Sequence, residues 1–161
     1  MTGGATSKGT RVKLLVAADN SIYSRAALES ILTCPWPADT EFLVLSVVET
    51  RHERTDFWNP HSRHLLEEAE EKIKEDHVQL VQNYASELKE KFPACKMDTQ
   101  VVEGFVVDKM LEVAESWGAE LIVLGSHGLK GLTRFLLGSV SESVASHAHC
   151  SVRIVRLRSE S

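Results

Sequence analysis

The chain has 161 residues, 43% of them hydrophobic and 25% charged, with a formal net charge of -5. That length and apolar share suit one domain with a continuous core, and the acidic balance opposes general binding to a phosphate backbone without excluding a small anion in a local pocket. Cys34, Cys95 and Cys150 lie far apart and form no C-x-x-C pair, which points away from a disulfide framework or zinc site and towards a reducing cytoplasm.

Residues 1–10 are small and polar, lack the apolar core of a secretory signal and are expected to form a disordered tail. No apolar run nears the roughly 20 residues that cross a bilayer. Val12 to Ala17, interrupted only by Lys13, has the pattern of a strand buried on both faces, and it stops at Asp19-Asn20-Ser21. Asp19 or Ser21 caps the following helix, in which Tyr23, Ala27 and Ile31 recur every four residues until Pro35 and Pro37 forbid continuation. Phe42 to Val48 is the second buried run, and Thr50 to Ser62 is expected to be an exposed loop.

Leu66, Ala69, Ile73, Leu80, Tyr84 and Leu88 lie at helical spacing, with Glu and Lys filling the other side, so a long amphipathic helix is predicted up to Pro93. A short third strand, Thr99 to Val102, precedes a turn at Gly104. Val107, Met110, Leu111, Ala114 and Trp117 trace a third helix stopped by Gly118, and Leu121 to Leu124 is a fourth buried strand. Val140, Val144 and Ala148 mark a fourth helix, and Val152 to Leu157, alternating with arginines, reads as a fifth strand near an edge.

This βαβαβαβαβ order requires parallel strands joined by right-handed crossovers. The predicted fold is therefore α/β, a single domain over 11–158 with an open five-stranded parallel sheet and helices on both faces, flanked by tails at 1–10 and 159–161, and the strand order expected of it is 3-2-1-4-5. In such sheets the ligand crevice lies beyond the carboxyl ends of the strands where the winding reverses, here between strands one and four. Asp19 and Gly125 are expected to face each other there.

The stretch from Gly125 to Ser139 places four glycines between a buried strand and a helix start. Glycine this dense is entropically unfavourable, and the expected compensation is close approach of main-chain N–H groups to a phosphate at the positive helix N-terminus. Ser139 and Ser141 offer hydroxyls and Lys130 and Arg134 positive charge. Valine at Gly138 is expected to block that approach and leave the fold intact.

The spacing G-x2-G-x9-G-S, met by Gly125, Gly128, Gly138 and Ser139, resembles the ATP-binding signature of universal stress proteins, and the resemblance extends from about Arg11 to Arg158. It implies a Rossmann-like fold, usually a homodimer paired through the last strand (Val152 to Leu157), and ATP with or without Mg2+ as ligand. It places Ala17, Ala18 and Asp19 near the adenosine and Val47 at the adenine. Gly125, Ser126, His127, Gly128, Gly138, Ser139, Val140 and Ser141 then surround the ribose and phosphates. Asn20, Val106, His149 and Ser151 depart from the glycine and prolines common in the family.

Other readings stand beside this one. Asp19 as a helix cap is compatible with its contacting adenosine, and Lys130 and Arg134 also read as solvated loop charges. His52, His61, His64 and His77 show no metal-ligand spacing and are expected at the surface. His147, His149 and Cys150 lack the orienting acid and oxyanion loop of a nucleophilic site. Two function classes remain: an ATP-binding regulatory module of the stress response, with at most slow hydrolysis, or a nucleotide-free dimeric interaction protein. The complete loop favours the first. No G-x4-G-K-[ST] loop supports a phosphotransferase, and no G-x-G-x-x-G after the first strand supports an NAD-binding domain.

Overall fold

The computed structural model describes residues 11–50, 60–128 and 137–157. The expected tails, most of the Thr50 to Ser62 loop, and Lys130 and Arg134 lie outside these residues. In chain order the elements are β1 (Lys13–Ala17), α1 (Ile22–Leu32), β2 (Glu41–Glu49), α2 (Pro60–Lys91), β3 (Lys96–Gly104), α3 (Val106–Trp117), β4 (Leu121–Gly125), α4 (Ser139–His147) and β5 (Ser151–Val155). The strands form one sheet in the expected order β3-β2-β1-β4-β5, with every pairing parallel as the crossover argument requires.

Successive residues of the central strands alternate between two cores. Leu14 and Val16 of β1, Phe42 and Val44 of β2 and Val123 of β4 pack against α1 and α2. Leu15, Leu43, Leu45, Ile122 and Leu124 point the other way, towards α3 and α4. Burying both faces explains why these strands read as continuous apolar runs. Each fully buried Leu, Ile, Val or Phe contributes on the order of 1.5–3 kcal/mol.

The edges depart from the sequence prediction. β3 runs from Lys96 to Gly104 because all nine of its residues pair in register with β2, from Glu41↔Lys96 to Glu49↔Gly104. β5 stops at Val155 rather than Leu157, since Val155 pairs with Gly125, the last residue of β4, and no strand continues beyond it. α2 begins at Pro60, inside the segment expected to be loop; proline suits a first helical turn, whose N–H groups have no partner within the helix. The start of α1 and the end of α3 carry recognisable local devices. Ser21 caps α1, its side chain accepting from the Ser24 N–H, and Gly118 ends α3 in the left-handed conformation at φ 73°, ψ 44°. Arg25 of α1 reaches α2 through two bonds to Glu87, of 2.6 and 2.8 Å. Among the described residues, no helix is long and apolar enough to cross a membrane.

Candidate functional site

The carboxyl ends of β1, β2 and β4 come together at the switch point of the sheet. As the chain leaves β1, Ala18 stays attached to β2, its N–H donating to the Leu45 carbonyl at 2.8 Å. The next peptide unit, formed by the Ala18 carbonyl and the Asp19 N–H, is held at both ends by side chains. The Ser46 hydroxyl donates to the Ala18 carbonyl at 2.6 Å, and the Asp19 N–H donates to Ser24 Oγ at 3.0 Å. Asp19 then turns its Oδ1 back to accept from the Ser21 N–H at 2.9 Å. This contact leads into the α1 cap, so the aspartate supports the helix start while its Oδ2 faces Gly128, in the turn that follows β4.

Two side chains of α2 stand behind this turn. His77 Nδ1 lies 2.7 Å from Ser46 Oγ, and the Tyr84 hydroxyl lies 3.0 Å from Ser24 Oγ. Burial pushes the His77 imidazole below its ordinary pKa, against the opposing pull of Asp19 and Asp76. Burial likewise raises the Tyr84 phenol, against its hydrogen bond to Ser24. His77 is half-buried and hydrogen-bonded, which corrects its expected place at the surface. The sequence held a signal for it: His77 lies four residues after Ile73 and seven before Tyr84, within the apolar row of the helix.

On the β4 side, the chain turns through Ser126, His127 and Gly128 and returns at Gly138. The Ser126 N–H continues the pairing with β5 by donating to the Val155 carbonyl at 2.8 Å. Its carbonyl accepts from the Gly138 N–H at 2.8 Å and from the Ser141 hydroxyl at 2.8 Å. Ser141 Oγ also lies 2.9 Å from the Gly138 carbonyl, so this buried hydroxyl is engaged within the loop. Ser126 Oγ meets His127 Nδ1 at 3.1 Å, and the His127 ring lies 4.9 Å from the Tyr23 ring. Both ends of the glycine loop are thereby fixed to each other and to the sheet.

The three described glycines of the motif serve different contacts. A Cβ at Gly125 would fall 2.6 Å from the Tyr23 backbone carbon, so its missing side chain lets α1 approach β4. A Cβ at Gly128 would fall 3.1 Å from Asp19 Oδ2. Gly128 is thus brought against the aspartate, while Gly125, expected to face it, has Tyr23 as its nearest neighbour. A Cβ at Gly138 would lie 3.1 Å from the Ser126 carbonyl oxygen and 3.2 Å from His127 Cα. Valine there would press first on the loop's own backbone.

Of the other candidates, Ala17 and Ala18 sit at the end of β1, and half-buried Val47 stands on β2 in register with Val102. Ser139 is exposed in the first turn of α4, and Val140 packs on the second core. The structure thus gathers the sequence candidates at three neighbouring strand ends. The sequence reading missed the supporting residues Tyr23, Ser24, Ser46, His77 and Tyr84.

With this geometry in view, the relationships of the chain are informative. The sequence model described as the universal stress protein family matches residues 11–156. Universal stress protein MJ0531 of Methanocaldococcus jannaschii is 32% identical over 148 residues, covering 89% of this chain and 81% of that protein. Among solved structures, hypothetical protein MJ0577 superposes with a TM-score of 0.68 at 25% identity, over 92% of this chain and 98% of its own. A universal stress protein family member from Arabidopsis thaliana, At3g01520, solved with AMP bound, gives a TM-score of 0.63 at 17% identity over 92% and 93% of the two chains. The family match spans all nine elements, and the chain belongs to the universal stress protein family.

Proposed function

We propose that the protein is an ATP-binding regulatory module whose nucleotide lies across the carboxyl ends of β1, β2 and β4. The observation that carries this reading is the approach of Asp19 to Gly128. It joins the strand-one turn, which the family resemblance assigns to adenosine, to the glycine loop, which it assigns to the ribose and phosphates. Asp19 Oδ2 is the carboxylate oxygen that faces this junction and would accept from a ribose hydroxyl. Val47 and the Ala17–Ala18 backbone would border the base, and Gly128, Gly138 and the first turn of α4 would receive the phosphates. The AMP complex of the Arabidopsis protein supports an adenine nucleotide as the ligand class.

In this reading the protein acts in the cytoplasm as a homodimer joined along β5, the half-buried strand at the sheet edge. Its output is a change of state on nucleotide binding, with any hydrolysis slow. The test begins with denaturing freshly purified protein and identifying the released small molecules by mass spectrometry. ATP, ADP and AMP are then titrated against thermal stability, with and without Mg2+. Co-purified adenine nucleotide, or stabilisation approaching ~2.7 kcal/mol at a hundredfold excess over Kd, supports the reading. A chain that is empty and unresponsive to all three overturns it in favour of a nucleotide-free interaction protein.

A further inference from the structure

Ser46 has one hydroxyl proton, and the Ala18 carbonyl beside it can only accept, so that proton points to Ala18 at 2.6 Å. The contact with His77 at 2.7 Å must then run the other way, from Nδ1–H to Ser46 Oγ. The arrangement fixes His77 as the Nδ1–H tautomer when neutral. A directed chain results: His77 donates to Ser46, and Ser46 donates to the Ala18 carbonyl. The N–H of the same peptide unit, that of Asp19, donates to Ser24 Oγ, which stands against Tyr84. Thus one peptide plane is held at its oxygen and at its hydrogen by two serines, each contacted by a side chain of α2, and those two side chains are seven residues apart on one face of the helix.

That peptide carries Asp19. Rotating it would swing the carboxylate away from Gly128, which a Cβ at that glycine would meet at 3.1 Å. We infer that His77 and Tyr84 form a positioning clamp of α2 that aims Asp19 across the site, His77 acting through Ser46 and Tyr84 through Ser24. The inference rests on the nucleotide reading above and adds to it a part for α2, which the glycine motif does not include. It also accounts for a half-buried histidine in an otherwise apolar row. Buried serines 46 and 24 obtain partners on both sides, and the turn between β1 and α1 is held by a helix that comes after β2 in the chain.

The test compares ATP affinity in wild type, His77→Leu, His77→Asn and Tyr84→Phe, each checked for intact fold by circular dichroism. His77→Leu, which removes the donor, is expected to weaken ATP about tenfold, the equivalent of one directed hydrogen bond. His77→Asn keeps a donor near the Nδ1 position and is expected to stay within about threefold of wild type. In an Asp19→Ala background the effect of His77→Leu should fall below about twofold, because a clamp that acts through Asp19 has nothing left to aim. A His77→Leu protein that folds and binds ATP like wild type overturns the clamp. So does an equal loss in the Asp19→Ala background, which marks a general structural role. Nitrogen chemical shifts of His77 in the unmutated protein provide a second measurement needing no substitution, and an Nε2–H tautomer there overturns the hydrogen-bond direction. If wild type binds no nucleotide, the reading of the site fails and the clamp's purpose with it; if wild type binds and His77→Leu is unchanged, the clamp alone fails.

Discussion

Replacing Gly125 and Gly128 by alanine, one at a time, separates two reasons for a glycine that a motif cannot distinguish. At Gly125 the new Cβ would lie 2.6 Å from the Tyr23 carbonyl carbon and 2.7 Å from its oxygen. That is roughly 1 Å inside ordinary carbon contact. The obstructing atoms are backbone, so α1 must move off β4 or the strand end must tilt. Overpacking of this kind costs about 1–3 kcal/mol, and the lost flexibility of the unfolded chain returns about 0.4–1 kcal/mol. A net loss of about 1–2 kcal/mol lowers Tm by roughly 2–8 °C in a chain of this size. At Gly128 the new Cβ would meet, among the described residues, Asp19 Oδ2 at 3.1 Å. A carboxylate at the end of a side chain gives way by a few tenths of an ångström, so stability should stay within about 0.5 kcal/mol of wild type.

Affinity should show the opposite ranking relative to stability. Gly128→Ala displaces the group proposed to receive the ribose and is expected to weaken ATP about tenfold in a protein of normal Tm. Scanning calorimetry and ATP titration on the same preparations provide both readings. A Gly125→Ala protein whose Tm falls no further than that of Gly128→Ala would refute the close approach of α1 to β4. A Gly128→Ala protein with unchanged ATP affinity would remove Asp19 and Gly128 from the site.

Gly118→Ala is expected to lower stability by about 1 kcal/mol with no effect on ATP, since φ is 73° there and a Cβ would meet nothing within 4 Å among the described residues, leaving the left-handed backbone penalty; denaturant titration measures it. Arg25→Ala removes the bidentate contact to Glu87 and the 3.1 Å bond to Glu29, exposed pairs whose loss should cost about 0.5–1 kcal/mol and less at high salt. The His77 pKa is depressed by burial, so the unfolded chain takes up a proton near pH 6.5 while the folded chain does not. The corresponding stability is present above pH 6.5 and is lost as pH falls towards the folded pKa. His77→Asn should flatten that part of the pH profile, and identical profiles for the two proteins between pH 7 and 5 would contradict the shift.

The parts of the fold that were legible are those whose burial leaves a one-dimensional trace. β1, β2 and β4 are covered on both faces and therefore appear as apolar runs. That the strands are parallel followed from the alternation of strands and helices, whereas their order leaves no such trace in the chain. β3 left a weaker trace because it lies at the sheet edge and exposes Lys96, Asp98, Thr99, Gln100 and Glu103; its length is set by pairing with β2, which composition does not record. The reverse holds at β5, where Arg156 and Leu157 continue a strand-like pattern after β4, its partner, has ended at Gly125.

The candidate site was legible in its glycines but not in their causes, because a missing side chain leaves the same letter whatever fills the space. Tyr23 backbone fills it at Gly125, the Asp19 carboxylate approaches it at Gly128, and the loop's own Ser126 and His127 lie against it at Gly138. A glycine motif therefore records how tightly a loop must be folded before it can meet a ligand. Here the tight folding also brings in residues outside the motif. The turn that carries Asp19 depends on Ser24 and Ser46, and these meet Tyr84 and His77 on a helix distant in sequence. Hydrogen bonds of that range have no fixed spacing to search for. What does reach the sequence is the mismatch of a histidine in an apolar helical row, and the geometry supplies its reason: a donor was needed at that level of α2 to face a buried serine.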